Sequence, residues 1–203
     1  MNTETNTVGN RQVHIYMEAS PNPNSLKFVA NSMLVPEAAS FDYPSLKEAG
    51  NSPLAQALFE SFTFVERVFI MSNFVTVTKN DEKDWQEIQT EVRTFVKEYL
   101  EQGKPAVDLT QAAAEEKEKE ASSGEETETE AKIKQVLDEY IRPAVEQDGG
   151  AIAFHSFENG VVKVLLQGSC SGCPSSTITL KAGIENLLKR AVPEVETVEA
   201  EGV

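Results

Sequence analysis

The chain has 203 residues, a hydrophobic content of 40% and a formal net charge of −15 at pH 7. This length suits one large domain or two small ones, and the apolar share allows a buried core in at least part of the chain. The negative charge argues against nucleic acid or an anionic membrane as a partner, because both are polyanions.

The N-terminal stretch MNTETNTVGNRQ predicts no targeting signal. It lacks a basic segment followed by an apolar one, and it is too poor in arginine for a transit peptide. The longest apolar runs are only as long as strands, so we expect no segment that crosses a bilayer. We therefore expect a disordered tail over residues 1–11 and a cytoplasmic location, where thiols stay reduced and a structural disulfide is disfavoured.

Residues 12–100 are predicted to form a small α+β domain. Alternating or short apolar runs predict strands in QVHIYMEA, SLKFVA, VERVFIMS and NFVTVTK. Ser52 and Pro53 can begin one helix, and residues 84–100 carry the apolar stripe of another. The domain has no cysteine, and His14 lies on the polar side of its strand. We expect His14 to be a surface residue rather than a ligand, and we assign the domain to partner recognition.

An acidic segment separates this domain from the rest of the chain. Residues 111–130, QAAAEEKEKEASSGEETETE, carry eight glutamates and two lysines, and alanine is their largest apolar residue. Such a segment cannot bury enough apolar surface to offset the entropy lost on ordering. The composition predicts a flexible acidic linker over residues 101–130.

Residues 131–203 are predicted to form a second small α+β domain. The first element is a helix over 131–146, which the glycine pair at 149–150 brings to an end. Its apolar residues fall at spacings of three and four and are predicted to face the core: Ile133, Val136, Leu137, Tyr140, Ile141 and Ala144.

A hairpin and a second helix follow in this domain. The strands AIAFHSFE and VVKVLLQG flank Asn159 and Gly160, which is the strongest short hairpin signal. A helix is predicted from Ser175 onward, and VETVEA is the candidate for a last strand. The core candidates of that helix are apolar residues at helical spacing: Ile178, Leu180, Ile184, Leu187, Leu188 and Ala191.

Both cysteines of the chain lie in GSCSGCPSS, between the hairpin and the last helix. The unpaired backbone N–H groups and the dipole of a helix N-terminus favour negative charge. Cys170 and Cys173 should therefore ionise more easily than an ordinary cysteine, which suits both metal ligation and redox exchange. We expect the loop that carries them to be exposed.

Three kinds of site remain open from this spacing. A CxxC at a helix start suits thiol–disulfide exchange, although that motif normally follows an early strand of a βαβ unit rather than a hairpin. Structural zinc takes four ligands, and an iron–sulfur cluster typically takes four thiolates. One chain offers two cysteines, and His155, the other candidate in this domain, lies in mid-strand. A homodimer about a two-fold axis would bring two loops together and supply four thiolates.

Both predicted domains resemble parts of one protein family. IRPAVEQDGG (141–150) and GSCSGCPSSTITLKAGIENLLKRAVPEV (168–195) closely resemble the C-terminal domain of the NifU family, the Nfu-type iron–sulfur carriers. PNPNSLKF (21–28), SPLAQALF (52–59) and NFVTVTKNDEKDW (73–85) resemble the N-terminal domain of many Nfu proteins.

The resemblance implies a cluster carrier rather than an enzyme. In that family Cys170 and Cys173 would bind a labile 4Fe–4S cluster that is shared across a homodimer, loaded by an upstream assembly scaffold and passed to apo-proteins. A thiol–disulfide oxidoreductase using the same cysteines is the alternative. One departure from the family pattern is Ala151, which stands where an aspartate is frequent. That aspartate is not a ligand, so we expect cluster binding to survive.

Overall fold

The computed structural model shows two α+β domains, which confirms the predicted fold class. The tail predicted over residues 1–11, most of the acidic linker, and Cys173 lie outside the described part of the chain. The structure describes residues 12–37, 39–111, 127–171 and 174–202. It describes the side chains of all of these except residues 174–177.

The first domain is built on a five-stranded antiparallel sheet with the order β1-β2-β5-β4-β3. Its strands are β1 (Ile15–Ala19), β2 (Ser25–Ala30), β3 (Ser40–Tyr43), β4 (Val65–Met71) and β5 (Phe74–Lys79). Its helices are α1 (Pro53–Ser61) and α2 (Trp85–Glu101). The edge strand β3 was not predicted, because its four residues, SFDY, show too short a pattern to stand out.

Both helices cover one face of the sheet, which we call the inner face. Ser52 caps α1 by accepting a hydrogen bond from the Ala55 N–H, as predicted, and Asp84 caps α2. The inner face and the helices form the main core, whose fully buried members include Phe28, Leu54, Leu58, Val68, Val77 and Val92.

The predicted linker differs from the structure at both ends. Ala106 and Val107 are buried in the core of the first domain, and the Ser52 hydroxyl donates to the Ala106 carbonyl at 2.7 Å. At the other end a helix already begins at Glu128, where Thr127 and Glu130 form a reciprocal capping box. Apolar residues and a cap, which the charge count does not register, shorten the linker.

The second domain has a three-stranded sheet with the order β6-β7-β8. Its elements are α3 (Glu128–Val136), a π-helical turn (Leu137–Ile141), α4 (Arg142–Gln147), β6 (Gly150–Glu158), β7 (Val161–Gly168), α5 (Pro174–Ala191) and β8 (Thr197–Gly202). The hairpin turn has φ +51 at Asn159 and +78 at Gly160, as the Asn-Gly pair predicts. β8 lies parallel to β7. No described helix has the length and hydropathy needed to cross a membrane.

The π-helical turn shifts the buried stripe of the first helix of this domain. Arg142 donates its N–H to the Leu137 carbonyl five residues back, and Pro143 has no N–H for a bond four residues back. As a result Val145 is buried, whereas Ala144 and Tyr140 are exposed. A regular helical period would bury both Tyr140 and Ala144. The prediction that these two residues face the core is therefore wrong.

Candidate metal centre

The cysteine loop begins at a glycine with a left-handed backbone. Gly168, the last residue of β7, has φ +65, where an L side chain is strained. A Cβ there would lie 2.8 Å from the carbonyl oxygen of Gly149 and 2.8 Å from Cγ of Phe69. The turn at this position therefore requires glycine, and it brings Cys170 back to the start of β6.

The thiol of Cys170 packs against backbone at Gly150. A Cβ at Gly150 would lie 3.0 Å from Sγ of Cys170 and 2.5 Å from the carbonyl oxygen of Gln167. Gly149 alone ends the helix, because it takes the left-handed conformation with φ +85. The second glycine thus belongs to the candidate site, and a repeated glycine where one suffices is the signal that could have found it.

Two hydrogen bonds hold the loop to the residues that follow α4. The Ser169 hydroxyl donates to the Asp148 carbonyl at 2.7 Å, and the Ser169 N–H donates to the Gly149 carbonyl at 3.3 Å. The Ser169 hydroxyl also lies 3.9 Å from Sγ of Cys170. Contacts within the second domain therefore help to fix the position of the thiol.

Cys170 is more buried than the sequence led us to expect. It is 6% exposed, and it forms part of the wall of a cleft of about 420 Å³. The cleft is lined by residues of both domains: Pro21, Asn22, Asp148, Ser169, Cys170, Thr179 and Leu180. An exposed loop was expected, and that expectation is wrong, because residues of the first domain cover one side of the loop.

The N-terminus of α5 directly follows the cysteine loop in sequence. The helix begins at Pro174, directly after Cys173 and one residue before the predicted start at Ser175. Ile178, one turn further on, is 70% exposed although it was predicted to be buried. Leu180 is half-buried at the cleft. An apolar surface thus lies beside the cysteine loop.

The histidines do not join this site. His155 is exposed at an irregularity of β6, five residues along the strand from Gly150, roughly 17 Å away at the usual rise. His14 is exposed in the first domain, as predicted. Within the described ranges no three His, Cys, Asp or Glu side chains are grouped as a metal would require. The site therefore offers sulfur from Cys170 and, by sequence, from Cys173.

One buried carboxyl group lies beside the loop, on the first domain. Asp42 pairs with Arg67 at 2.6 Å. Burial raises the pKa of Asp42 to about 6, against the opposing effects of the Arg67 guanidinium and of the backbone amides of Gly168 and Tyr43. The carboxyl group thus faces the turn that carries Cys170.

Family comparisons match both domains. The family model described as "Scaffold protein Nfu/NifU N terminal" matches residues 15–103. The family model described as "NifU-like domain" matches residues 133–199. These ranges contain the first sheet, most of the second sheet and the cysteine loop.

Curated relatives match nearly the whole chain. It is 44% identical over 193 residues to "NifU-like protein 4, mitochondrial" of Arabidopsis thaliana, covering 94% of this chain and 67% of that protein. It is 42% identical over 190 residues to the human "NFU1 iron-sulfur cluster scaffold homolog, mitochondrial", covering 93% of this chain and 72% of that protein.

The expected cytoplasmic location is contradicted by these relatives, whose names place them in mitochondria. That expectation rested on composition and on the lack of a signal, and neither the fold nor the thiol chemistry encodes a compartment. The family itself is established by both matched domains and by relatives above 40% identity. The chain belongs to the Nfu/NifU family, with an Nfu N-terminal domain followed by a NifU-like domain.

Proposed function

We propose that this protein is an iron–sulfur cluster carrier that binds a labile 4Fe–4S cluster and delivers it to apo-proteins. The observation that carries the proposal is the Cys170 thiol, fixed at a cleft beside the start of α5 within the matched NifU-like domain. The human relative is named as an iron–sulfur cluster scaffold homolog, which supports this class of cargo.

The ligands in this proposal are Cys170 and Cys173 of two copies. Iron–sulfur clusters are held by cysteine thiolates, typically four, and each chain contains two. A homodimer about a two-fold axis brings the two loops together. The exposed side chain of Ile178 beside the loop supports this arrangement, because a second copy would cover that apolar surface.

A shared cluster suits delivery rather than storage. When two chains separate, each keeps only two thiolates, so cluster affinity depends on protein concentration. The thiolates are stabilised by the helix N-terminus, and an acceptor that offers its own thiolates can replace them one at a time. The site residues act as ligands throughout, and no catalytic group is required.

The first domain serves partner recognition in this proposal. Its partners are apo-proteins that need a cluster and the upstream scaffold that supplies it. The connecting segment keeps the cluster domain near a docked partner and raises its effective concentration there.

Anaerobic reconstitution with iron and sulfide tests the proposal. The wild-type chain should gain broad visible absorbance that bleaches on reduction, whereas Cys170→Ser and Cys173→Ser should each lose it. Ser171→Ala is the matched control, because it changes the same loop without removing a thiol, and it should keep the cluster. Colourless protein that reduces the disulfides of insulin would instead establish the oxidoreductase alternative.

A further inference from the structure

The second domain packs on the face of the first sheet that the helices leave uncovered. This face, opposite α1 and α2, is called the outer face below. Lys27, Phe69, Met71, Phe74 and Thr76 share it, as the strand register requires. Their contacts are with the end of α4, the start of β6 and the end of β7 in the second domain.

An apolar cluster forms the centre of the contact. Ala151 is 6% exposed and packs with Phe69, Met71 and Phe74, which are themselves buried. An aspartate at residue 151 would place a carboxylate in this cluster at a cost in desolvation. The alanine that departs from the family pattern thus has a defined role here.

Polar contacts surround the apolar cluster. Lys27 Nζ donates to the carbonyl oxygens of Glu146 and Gln147 at 3.2 and 3.3 Å, and it lies 4.4 Å from the centre of the Phe74 ring. These carbonyls end α4, where the helix dipole favours a cation. A Cβ at Gly149 would lie 2.8 Å from the Thr76 hydroxyl oxygen, so the two backbones approach closely.

The same surface reaches the cysteine loop itself. Asn22 Nδ2 donates to the Ser169 carbonyl at 3.0 Å in a buried hydrogen bond. Phe69 lies directly under Gly168, the turn that positions Cys170. One side of the loop is therefore closed by the first domain, and Pro21 and Asn22 form a wall of the Cys170 cleft.

We propose that the outer face is a docking surface for the chain's own cysteine loop, and that this docking competes with the second copy that completes the cluster site. The competition rests on the proposed function, whereas the docking does not. A shared cluster needs the partner's loop against Cys170, where Asn22 and Pro21 lie in the docked form. Docking therefore favours the chain without a cluster, and loading favours release.

The occupant is the same chain rather than another copy. In the chain, Gln111 is the last described residue after the first domain and Thr127 is the first described residue before the second. The residues between them can span up to about 50 Å when extended, at roughly 3.3 Å per residue. At low protein concentration a tethered domain has a large advantage over a free one.

Lys27→Glu in the full-length chain without cluster tests the docking. The new carboxylate would face two carbonyl oxygens, and Glu146 and Asp148 lie close enough to Lys27 for its charge to act on their pKa. Lys97→Glu on α2 is the control, because it makes the same charge change at a half-exposed, ion-paired lysine away from the second domain. Amide hydrogen exchange at Gly168 and Ser169, and the radius of gyration from small-angle scattering, are measured for all three chains.

The proposal predicts at least several-fold faster exchange and a larger radius of gyration for Lys27→Glu than for the other two chains. Asn22→Ala, which deletes one hydrogen bond, should also speed exchange and raise the radius of gyration, but by less. Circular dichroism checks that Lys27→Glu and Asn22→Ala are both folded. Equal exchange and equal size across the series would overturn docking. Compaction that appears only as protein concentration rises would overturn the same-chain assignment.

Cluster loading separates the two proposals. Lys27→Glu should form the cluster-bound dimer at lower protein concentration than Lys97→Glu, because the competing contact is gone. If both load at the same concentration, competition is wrong. If the wild type binds no cluster but docking is observed, the proposed function fails and the docking surface stands.

Discussion

The two faces of the first sheet differ in composition and in what they pack against. The inner face presents an uninterrupted apolar layer to α1 and α2, including Phe28, Val68, Val75 and Val77. The outer face combines a small apolar cluster with Lys27, Thr76 and Asp42, a mixture typical of an interface. The inner face sets the fold of the first domain, and the outer face sets what covers the cysteine loop.

The largest expected effect comes from the inner face. Phe28→Ala removes a fully buried ring and should lower the free energy of unfolding of the first domain by about 3–5 kcal/mol. Chemical denaturation measures this loss. Cluster reconstitution on the second domain should be unchanged, and its loss would show that the cluster site depends on the fold of the first domain.

The outer face should respond differently to a substitution at its centre. Ala151→Asp should weaken docking by about 1–3 kcal/mol, because a carboxylate would lose hydration among the rings of Phe69 and Phe74. Scattering should show a more extended chain while the unfolding of the first domain stays the same. A compact chain with normal exchange at Gly168 would contradict this account.

Docking should also depend on pH through Asp42. Its pKa rises from 3.8 to about 6 in the docked structure, so the docked form binds this proton more tightly than a form in which the carboxyl group is hydrated. Docking should therefore strengthen as pH falls from about 6 towards 4 and weaken as pH rises through 6. The expected change is roughly 1–3 kcal/mol at most.

Asp42→Asn distinguishes this effect from other titrations. The variant cannot ionise at this position. The radius of gyration and the protection factor of the Gly168 amide, which removes the intrinsic pH dependence of exchange, should therefore lose most of their change between pH 4 and 7. A pH dependence equal to that of the wild type would assign the effect to another group.

The smallest expected effect lies away from both faces, at Glu185 in the second domain. Hydrogen bonds from Lys189, from the Val198 N–H and from the Thr197 hydroxyl lower its pKa to about 2. The stability it contributes is present above pH 4.5 and is lost as pH falls towards 2. Glu185→Gln should slightly lower the free energy of unfolding of the second domain at pH 7, as measured by chemical denaturation. It should also reduce the loss of that free energy as pH falls from 4.5 towards 2. Glu194→Gln, at an exposed site, is the control and should leave the free energy at pH 7 unchanged.

Local patterns were enough to predict much of the fold. The Asn-Gly hairpin, the Ser-Pro helix start and the alternating strands each depend on neighbours in sequence. The exposed Ala144 was not predictable in this way, because the helical period assumes that no extra residue enters the turn over Leu137–Ile141, just before Pro143. Strand β3 was not predicted, because its four residues are too few to show an alternating pattern.

The candidate site was only partly predictable for a similar reason. The spacing of the cysteines and the helix start is local, whereas the cover over Cys170 comes from Asn22, far away in the chain. One signal was present in the first domain. Val68 to Met71 are apolar at every position, which indicates a strand buried on both faces. A second layer on the outer face follows from that run.

The most direct test of the shared cluster is to measure iron content and mass together on one anaerobic sample. The proposal predicts that cluster absorbance elutes with a dimer that holds about two iron atoms per chain, because two chains share four thiolates. Reconstituted Cys170→Ser should elute as a monomer without iron. About four iron atoms on a monomeric chain would contradict the shared site.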